Sequence, residues 1–475
     1  MSDEHLREWR PEALVALIRR LEERLAAVTA QLAAAEARIG ELEAELARRG
    51  GPPKTPENSS TPPSKGWKRE RPGAAPEGAK RGRRVGHPGT SRRRAAPDWV
   101  VLCQPTHCAA CGHDLTAGPQ VRVGHSQVVE LPPVQPVVFE AWRYAATCPH
   151  CGTTTTAEYP AGFEPTRVFG PRLEALWTYL HERHHVGYAR LAALGRDLWQ
   201  LRASQGAIVN ALGRVARQLA PRAAAIREQV RASPVIGSDE TSARVNGRTH
   251  WQWVFQTPTA SYHVIVPRRN GDVVQDFLGD AVPETWVSDL WKPQLGARAG
   301  RHQICLAHQL RELQYVADKE HSAWAQACQA LFRLAIHRAH QRDRGELWGA
   351  AYTAAVRKIE ADCEALLAFP VEGAEASRLW VRFREHRAHR FGFLYDPAVP
   401  PTNNASEQAL RHSVVHRKVT GGFRSDWGAE AHALVVTVLD TARKRGEDLL
   451  STLHAAIGEP VAIPPGLPIL SPGSR

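Results

Sequence analysis

The residues of this 475-residue chain whose types and spacing could do chemistry are three carboxylates and two cysteine pairs. Asp239 lies within SPVIGSDETSARV and Asp289 within ETWVSDLW. Glu407 heads PTNNASEQALRHSVVHRKVTGGFRSDWGAE, ahead of Arg411, His412, His416, Arg417, Lys418 and Arg424. Two aspartates on adjacent strands and a glutamate on a later helix can hold two divalent cations roughly 3.5–4 Å apart, the arrangement that activates an attacking oxygen and stabilises a leaving one. Oxygen ligands of this kind suit Mg²⁺ or Mn²⁺. The cations that follow Glu407 then have phosphates to hold: Arg411 lies one turn beyond it on the same helix face, and Arg417, Lys418 and Arg424 would grip the strand entering the site. Plainer readings compete. The aspartates could be ordinary polar residues at strand ends, Asn404 with Glu407 a variant capping box, and the basic run a solvated face. Glu240 and Asp280 are spare acids.

Cys108-Ala-Ala-Cys111 and Cys148-Pro-His-Cys151 are each followed by glycine, Gly112 and Gly152. Each has the form of a zinc knuckle, and together they supply four thiolates for a structural zinc; the alternative is four buried free cysteines. His107, His113 and His150 are surplus ligands, and Cys103 lies outside the pattern. The alternating stretch between the pairs is expected to form strands. Cys305 and His308 are either half of a metal site or a helix start packing under Asp289, with Arg311 one turn onward.

Period-two alternation gives strands at SPVIGSDETSARV, THWQWVFQT and ASYHVIVPRR, each with one buried face. A short helix, NGDVVQDFLGD, and the strand ETWVSDLW follow. In an RNase H-like core, the first and fourth strands of that series lie side by side, so Asp239 and Asp289 would face each other. RHQICLAHQLRELQYVAD opens a helical stretch running to about Glu385. Before the core, residues 171–230 read as helices with a break at Leu201 to Ser204; Ser204 caps the next helix, in the manner of a helix-turn-helix. Leu14, Ile18, Leu21, Leu25, Val28, Leu32, Ala35, Ile39, Leu42 and Leu46 form a heptad seam, which predicts a coiled coil and self-association. The expected class is multidomain α+β. It comprises a coiled coil (1–49), a basic Pro/Ser-rich linker (50–97), a zinc-binding domain (98–165), a helical DNA-binding segment (166–232), an RNase H-like core in two parts (233–300 and 397–455) around an all-helical insertion (301–396), and a tail (456–475).

The net charge is +12 and the pI about 9.6, a balance that favours a polyanionic partner such as nucleic acid. Arg83, Arg84, Arg92, Arg93 and Arg94 in the linker suit a phosphate backbone. The chain has no stretch of signal-peptide or membrane-span character and reads as cytosolic.

DETSARVNGRTHWQWVF, WVSDL, RHQICLAHQLREL and PTNNASEQALRHSVVHRKVTGGFRSDWGAE resemble transposases of the bacterial insertion-sequence family numbered sixty-six. The order of parts, with GHPG at Gly86 to Gly89, is similar over nearly the whole chain. The resemblance implies a DDE triad of Asp239, Asp289 and Glu407, two Mg²⁺ or Mn²⁺ ions and one structural zinc. It also implies cleavage at transposon ends and joining of 3′-hydroxyls to target DNA. Expected partners are inverted-repeat ends, target DNA, further copies of the chain and helper proteins of the same element; the setting would be the bacterial cytoplasm and its nucleoid. Ser242 after Thr241, and Leu290-Trp291 after Asp289, depart from the usual pattern. Rival functions are an RNase H-like nuclease or resolvase without strand transfer, and a non-catalytic DNA-binding regulator derived from a transposase.

Overall fold

The computed structural model describes residues 15, 19, 22–32, 93–131, 134–160, 162, 163, 165 and 167–458. Residues 22–32 are helical, with Leu25, Val28 and Leu32 exposed. The other seam positions, and Arg83, Arg84 and Arg92, lie outside the described residues. Two compact units divide the rest, with the boundary between Leu212 and Gly213.

The first unit opens with a small antiparallel hairpin, β1 (Ala145–Thr147) and β2 (Thr154–Thr156), around the second cysteine pair. The expected strands before it do not form: among the described residues between 119 and 144 there is no strand. Pro119, Pro132, Pro133 and Pro136 interrupt that stretch, and each removes a ladder donor. Helices α1 (Pro171–His184) and α2 (Tyr188–Trp199) follow, with the start of α3 (Gln205–Arg231), whose residues from Gly213 onward belong to the second unit. Trp177, Leu191, Ile208, Ala211 and Leu212 form their shared core. The break at residues 200–204 falls where the sequence placed it. Gln200 takes a left-handed conformation, and the Ser204 hydroxyl accepts the Ala207 N–H at 3.1 Å.

The second unit is built on a five-stranded sheet in the order β5-β4-β3-β6-β7. Its strands are β3 (Val235–Val245), β4 (Arg248–Gln256), β5 (Ser261–Val266), β6 (Thr285–Ser288) and β7 (Arg301–Ile304), with α4 (Gly271–Leu278) and the short α5 (Lys292–Leu295) between them. β3, β4 and β5 are antiparallel, while β6 runs parallel to β3 and β7 to β6. The first and fourth strands of the unit are therefore neighbours. β7 corrects the sequence reading, which began a helix at Arg301. Four residues are too few for period-two alternation to stand out, and Gln303 and Ile304 are both buried.

The alternation along β4 does not mark one buried and one open face. Gln252, Trp253, Val254, Phe255 and Gln256 are all buried. On one face Phe255 stacks on Phe277 of α4 at 3.8 Å and packs near Trp286. On the other, Val254 meets Ala409 and Leu410. There the glutamines are satisfied by hydroxyls: Gln252 Nε2 donates to Ser413 Oγ at 2.9 Å and Gln256 Nε2 to Ser406 Oγ at 3.2 Å. A buried amide costs little once it is hydrogen-bonded.

The helical insertion comprises α6 (Leu306–Glu320), α7 (Ala323–Asp343), α8 (Gly349–Leu367), α9 (Ala374–Glu385) and the short α10 (Gly392–Tyr395). Its core of Leu313, Phe332, Ile359, Phe383 and Phe393 is continuous with Val287 and Leu306 at the sheet. The chain returns in α11 (Asn404–Thr420), which packs on β3 and β4, and α12 (Asp426–Lys444), which packs on β5; α13 (Leu449–Ile457) follows.

Candidate active site

Asp239 is the fifth residue of β3, and Asp289 follows the last residue of β6. Because β3 and β6 pair in parallel from Val235↔Thr285 to Gly237↔Val287, both aspartates leave the same end of that pair. Glu407 sits in the first turn of α11, the helix laid over β3 and β4. The three carboxylates feel one another electrostatically. Asp239 is held well above the usual carboxylate range, first by burial and then by the charges of Asp289, Glu240 and Glu407. Asp289 is pushed up to about 6 by burial and by Glu240 and Glu407, against the opposing Trp291 N–H and Arg269. Like charges gathered in a desolvated site are what a divalent cation relieves, and carboxylate oxygens are the donor type that Mg²⁺ or Mn²⁺ takes. Among the described residues, the groups of three or more ligand atoms within 4.8 Å of one another do not include Asp239, Asp289 and Glu407 together.

Each aspartate is oriented by backbone. Asp239 Oδ1 accepts the Glu240 N–H at 2.8 Å, and Asp289 Oδ1 accepts the Trp291 N–H at 3.2 Å. Glu240 is committed elsewhere. Its Oε1 accepts from Arg269 Nε and Nη2 at 3.2 and 3.0 Å, its Oε2 accepts from Gln294 at 2.9 Å, and its side chain is 2% exposed. Arg269 in turn lies between the rings of Trp251 and Trp291, 4.2 and 4.3 Å from their centres. The departure at Trp291 thus has a structural use, because this ring helps hold the guanidinium that occupies the neighbouring acid.

Glu407 is not part of a capping box with Asn404. The residue preceding α11 is Asn403, it makes no side-chain cap, and Asn404 is exposed. Asn403 instead sends its amide to β3, donating from Nδ2 to the Ser238 carbonyl at 2.7 Å. Glu407 Oε1 lies 3.5 Å from His308 Nε2. Cys305 Sγ, a His308 ring nitrogen and a Glu407 oxygen all fall within 4.8 Å of one another. Burial lowers the His308 pKa, favouring neutral imidazole. Cys305 also packs beside Asp289, donating its N–H to the Ser288 carbonyl at 2.8 Å. The two sequence readings of Cys305 and His308 therefore both have geometric support.

Of the basic residues, Arg411, Lys418 and Arg424 are exposed, as are Arg93 and Arg94 in the other unit; Arg311 is half-buried. Arg417 is already engaged, donating from Nη1 to Ser242 Oγ at 3.1 Å and Thr241 Oγ1 at 3.5 Å.

The two cysteine pairs fold alike. Cys108 N–H donates to His113 O at 2.8 Å and Gly112 N–H to Cys108 O at 2.9 Å; Cys148, Thr153 and Gly152 repeat the pattern at 2.9 and 2.9 Å. Gly112 and Gly152 have φ of 72° and 71°, the left-handed turn that glycine adopts most easily. Hydrogen bonds from the backbone of Ala110 and Cys111 lower the Cys108 pKa, and those from Thr153 lower that of Cys151, so both sites favour thiolate. Each pair is internally close. Among the described residues, the groups of three or more ligand atoms within 4.8 Å include no set drawn from these four thiols.

The family model described as "Transposase IS66 family" matches residues 166–431, more than half of the chain. The chain belongs to the IS66 transposase family. A second model, the zinc-finger binding domain of transposase IS66, matches residues 105–152 and spans both knuckles of the transposase. No curated protein matches the chain. Sequence reasoning missed Asn403 and Arg269. The paired asparagines were the available signal for the first, but helix-start statistics draw attention to a cap rather than to a strand carbonyl across the site.

Proposed function

We propose that the transposase cuts DNA at the ends of its element and joins the freed 3′-hydroxyls to target DNA, in an RNase H-like core that uses Asp239, Asp289 and Glu407. What supports this reading is the placement of the three carboxylates: the parallel pairing of β3 and β6 brings Asp239 and Asp289 to one end of that pair, and α11, which carries Glu407 in its first turn, packs on β3 and β4. These residues would hold two Mg²⁺ or Mn²⁺ ions, which when bound supply Lewis-acid stabilisation of the attacking and leaving oxygens. The chain's own groups do the rest. The Glu240 and Trp291 N–H groups aim the aspartates, and Arg269 keeps Glu240 out of the ligand set. Arg411, Lys418, Arg424 and Arg311 would hold phosphates near the site, with Arg93 and Arg94 adding affinity from the other unit; Arg417 would act mainly through β3. The exposed start of α3 would enter a major groove, and Cys108, Cys111, Cys148 and Cys151 would close on one zinc. The seam from Leu14 to Leu46 would join copies of the chain.

Asp239→Asn, Asp289→Asn and Glu407→Gln preserve shape while each removes a ligand charge. End cleavage and strand transfer should each fall by several orders of magnitude, because such residues act as a unit. Binding of labelled DNA ends should persist. An active Glu407→Gln protein would remove Glu407 from the site.

A further inference from the structure

We infer that Asn403 and Cys305 are positioning residues, a buried latch that holds the three carboxylates in one register. The inference rests on the triad reading above. Each aspartate follows a serine whose carbonyl is held by one half of the latch. The β3–β6 pairing ends at Gly237↔Val287, and the next β3 carbonyl, that of Ser238, accepts from Asn403 Nδ2 at 2.7 Å. The last residue of β6, Ser288, accepts the Cys305 N–H at 2.8 Å. The halves meet where the Asn403 N–H donates to Cys305 Sγ at 3.1 Å, and the Leu306 N–H bonds the Pro401 carbonyl alongside at 3.0 Å. The third carboxylate joins through the start of α11. The Asn403 carbonyl accepts the N–H groups of Ser406 and Glu407 at 3.0 and 3.3 Å, and its Oδ1 accepts the Ser406 hydroxyl at 2.6 Å.

Every junction is dry. Asn403 is 2% exposed, Ser288 1%, and Cys305, Ser238 and Ser406 0%. Buried hydrogen bonds of this kind have no water to replace them, so loss of one moves the backbone that carries a ligand. The residue types are also constrained. Asn403 must donate to a carbonyl and accept from a hydroxyl with one side chain; aspartate can only accept, and would add negative charge beside three carboxylates. Cys305 offers the Asn403 N–H a sulfur acceptor inside a fully buried junction. Serine's shorter side chain would lengthen the contact.

The test is Asn403→Asp, with Cys305→Ser and Cys305→Ala as independent handles should Asn403→Asp fail to fold. Gln252→Ala, which breaks a buried amide bond elsewhere beneath α11, is the control for simple destabilisation. Mg²⁺ requires near-ideal octahedral ligands, so displaced carboxylates should weaken it more than the larger Mn²⁺. Latch variants should lower end cleavage in Mg²⁺ by about 10–100-fold and raise the Mg²⁺ concentration giving half-maximal rate. Mn²⁺ should recover most of the loss, and DNA-end binding should be unchanged. Gln252→Ala should lower the melting temperature and leave the Mg²⁺ requirement alone. Latch variants with the wild-type rate and Mg²⁺ requirement would overturn the inference. So would a loss that is equal in Mn²⁺ and tracks loss of DNA binding. If Asp239→Asn and Glu407→Gln are inactive while Asn403→Asp behaves as wild type, only the latch fails; if the triad variants are active, the triad reading fails first.

Discussion

Asp289 shows how much of this site is electrostatic. Its carboxyl is pushed from an ordinary 3.8 to about 6, with burial the largest cause and Glu240 the next. Without a cation, the folded protein keeps a proton up to about pH 6 that the unfolded chain releases near 3.8. Folding therefore binds a proton in that window, and stability falls as pH rises through it. A divalent cation needs the deprotonated carboxylate and reverses the trend. Mg²⁺ should raise the melting temperature of the wild-type protein at about pH 7.5 and have little effect at about pH 5. Asp289→Asn should lose the shift at the higher pH; a shift of equal size at both pH values would count against metal binding here. Asp239 and Asp289 could be placed from the strand pattern around them, whereas Glu407, on a helix, joined them through the family resemblance. Arg269 and Asn403 were not legible, because their roles depend on partners 29 and 165 positions away in the chain.

At the level of elements, most strands and helices followed from periodicity, and the aromatic face of β4 is buried as expected, while its glutamine face was misjudged. Glutamines at alternate positions look solvent-facing until α11 brings Ser406 and Ser413 over them. The end of α11 was also only half legible. Gly421-Gly422 is visible as a pair in the sequence, but its use is to turn the chain onto the end of β3. There Phe423 N–H donates to the Arg244 carbonyl at 2.8 Å and Asn246 N–H to the Phe423 carbonyl at 3.0 Å. Both glycines have positive φ, 76° and 101°. They differ in room: a Cβ on Gly421 meets nothing within 4 Å, whereas one on Gly422 would lie 2.7 Å from the Arg244 carbonyl oxygen, a backbone atom that cannot swing aside. Gly422→Ala should therefore cost about 1–3 kcal/mol in strain and displacement, and Gly421→Ala clearly less. Denaturant unfolding of the two variants measures the difference, and equal losses would mean that the close approach at β3 is unimportant.

Across the whole molecule, the two units stand on different physical footings. The unit within residues 213–458 buries Trp253, Phe255, Trp286, Phe332 and Phe383 among its sheet and helices. The cysteine-bearing part of the other leaves Trp99, Val101, Val123, Val128, Trp142 and Tyr144 exposed. So little apolar burial cannot offset the entropy of ordering a segment of this length, a deficit that the proposed zinc would make good. The paired knuckles have hydrogen bonds that favour thiolate, from the backbone of Ala110 and Cys111 at Cys108 and from the side chain and backbone of Thr153 at Cys151, as zinc ligation would need. Freshly purified protein should carry about one zinc per chain by elemental analysis. A strong chelator, or Cys108→Ser, should open residues 98–165 to proteases and weaken binding of DNA ends. Denaturant unfolding of the catalytic unit should keep its midpoint, because its core includes none of these residues. Zinc-free protein with residues 98–165 still protected would show that this segment is held by something other than its thiolates.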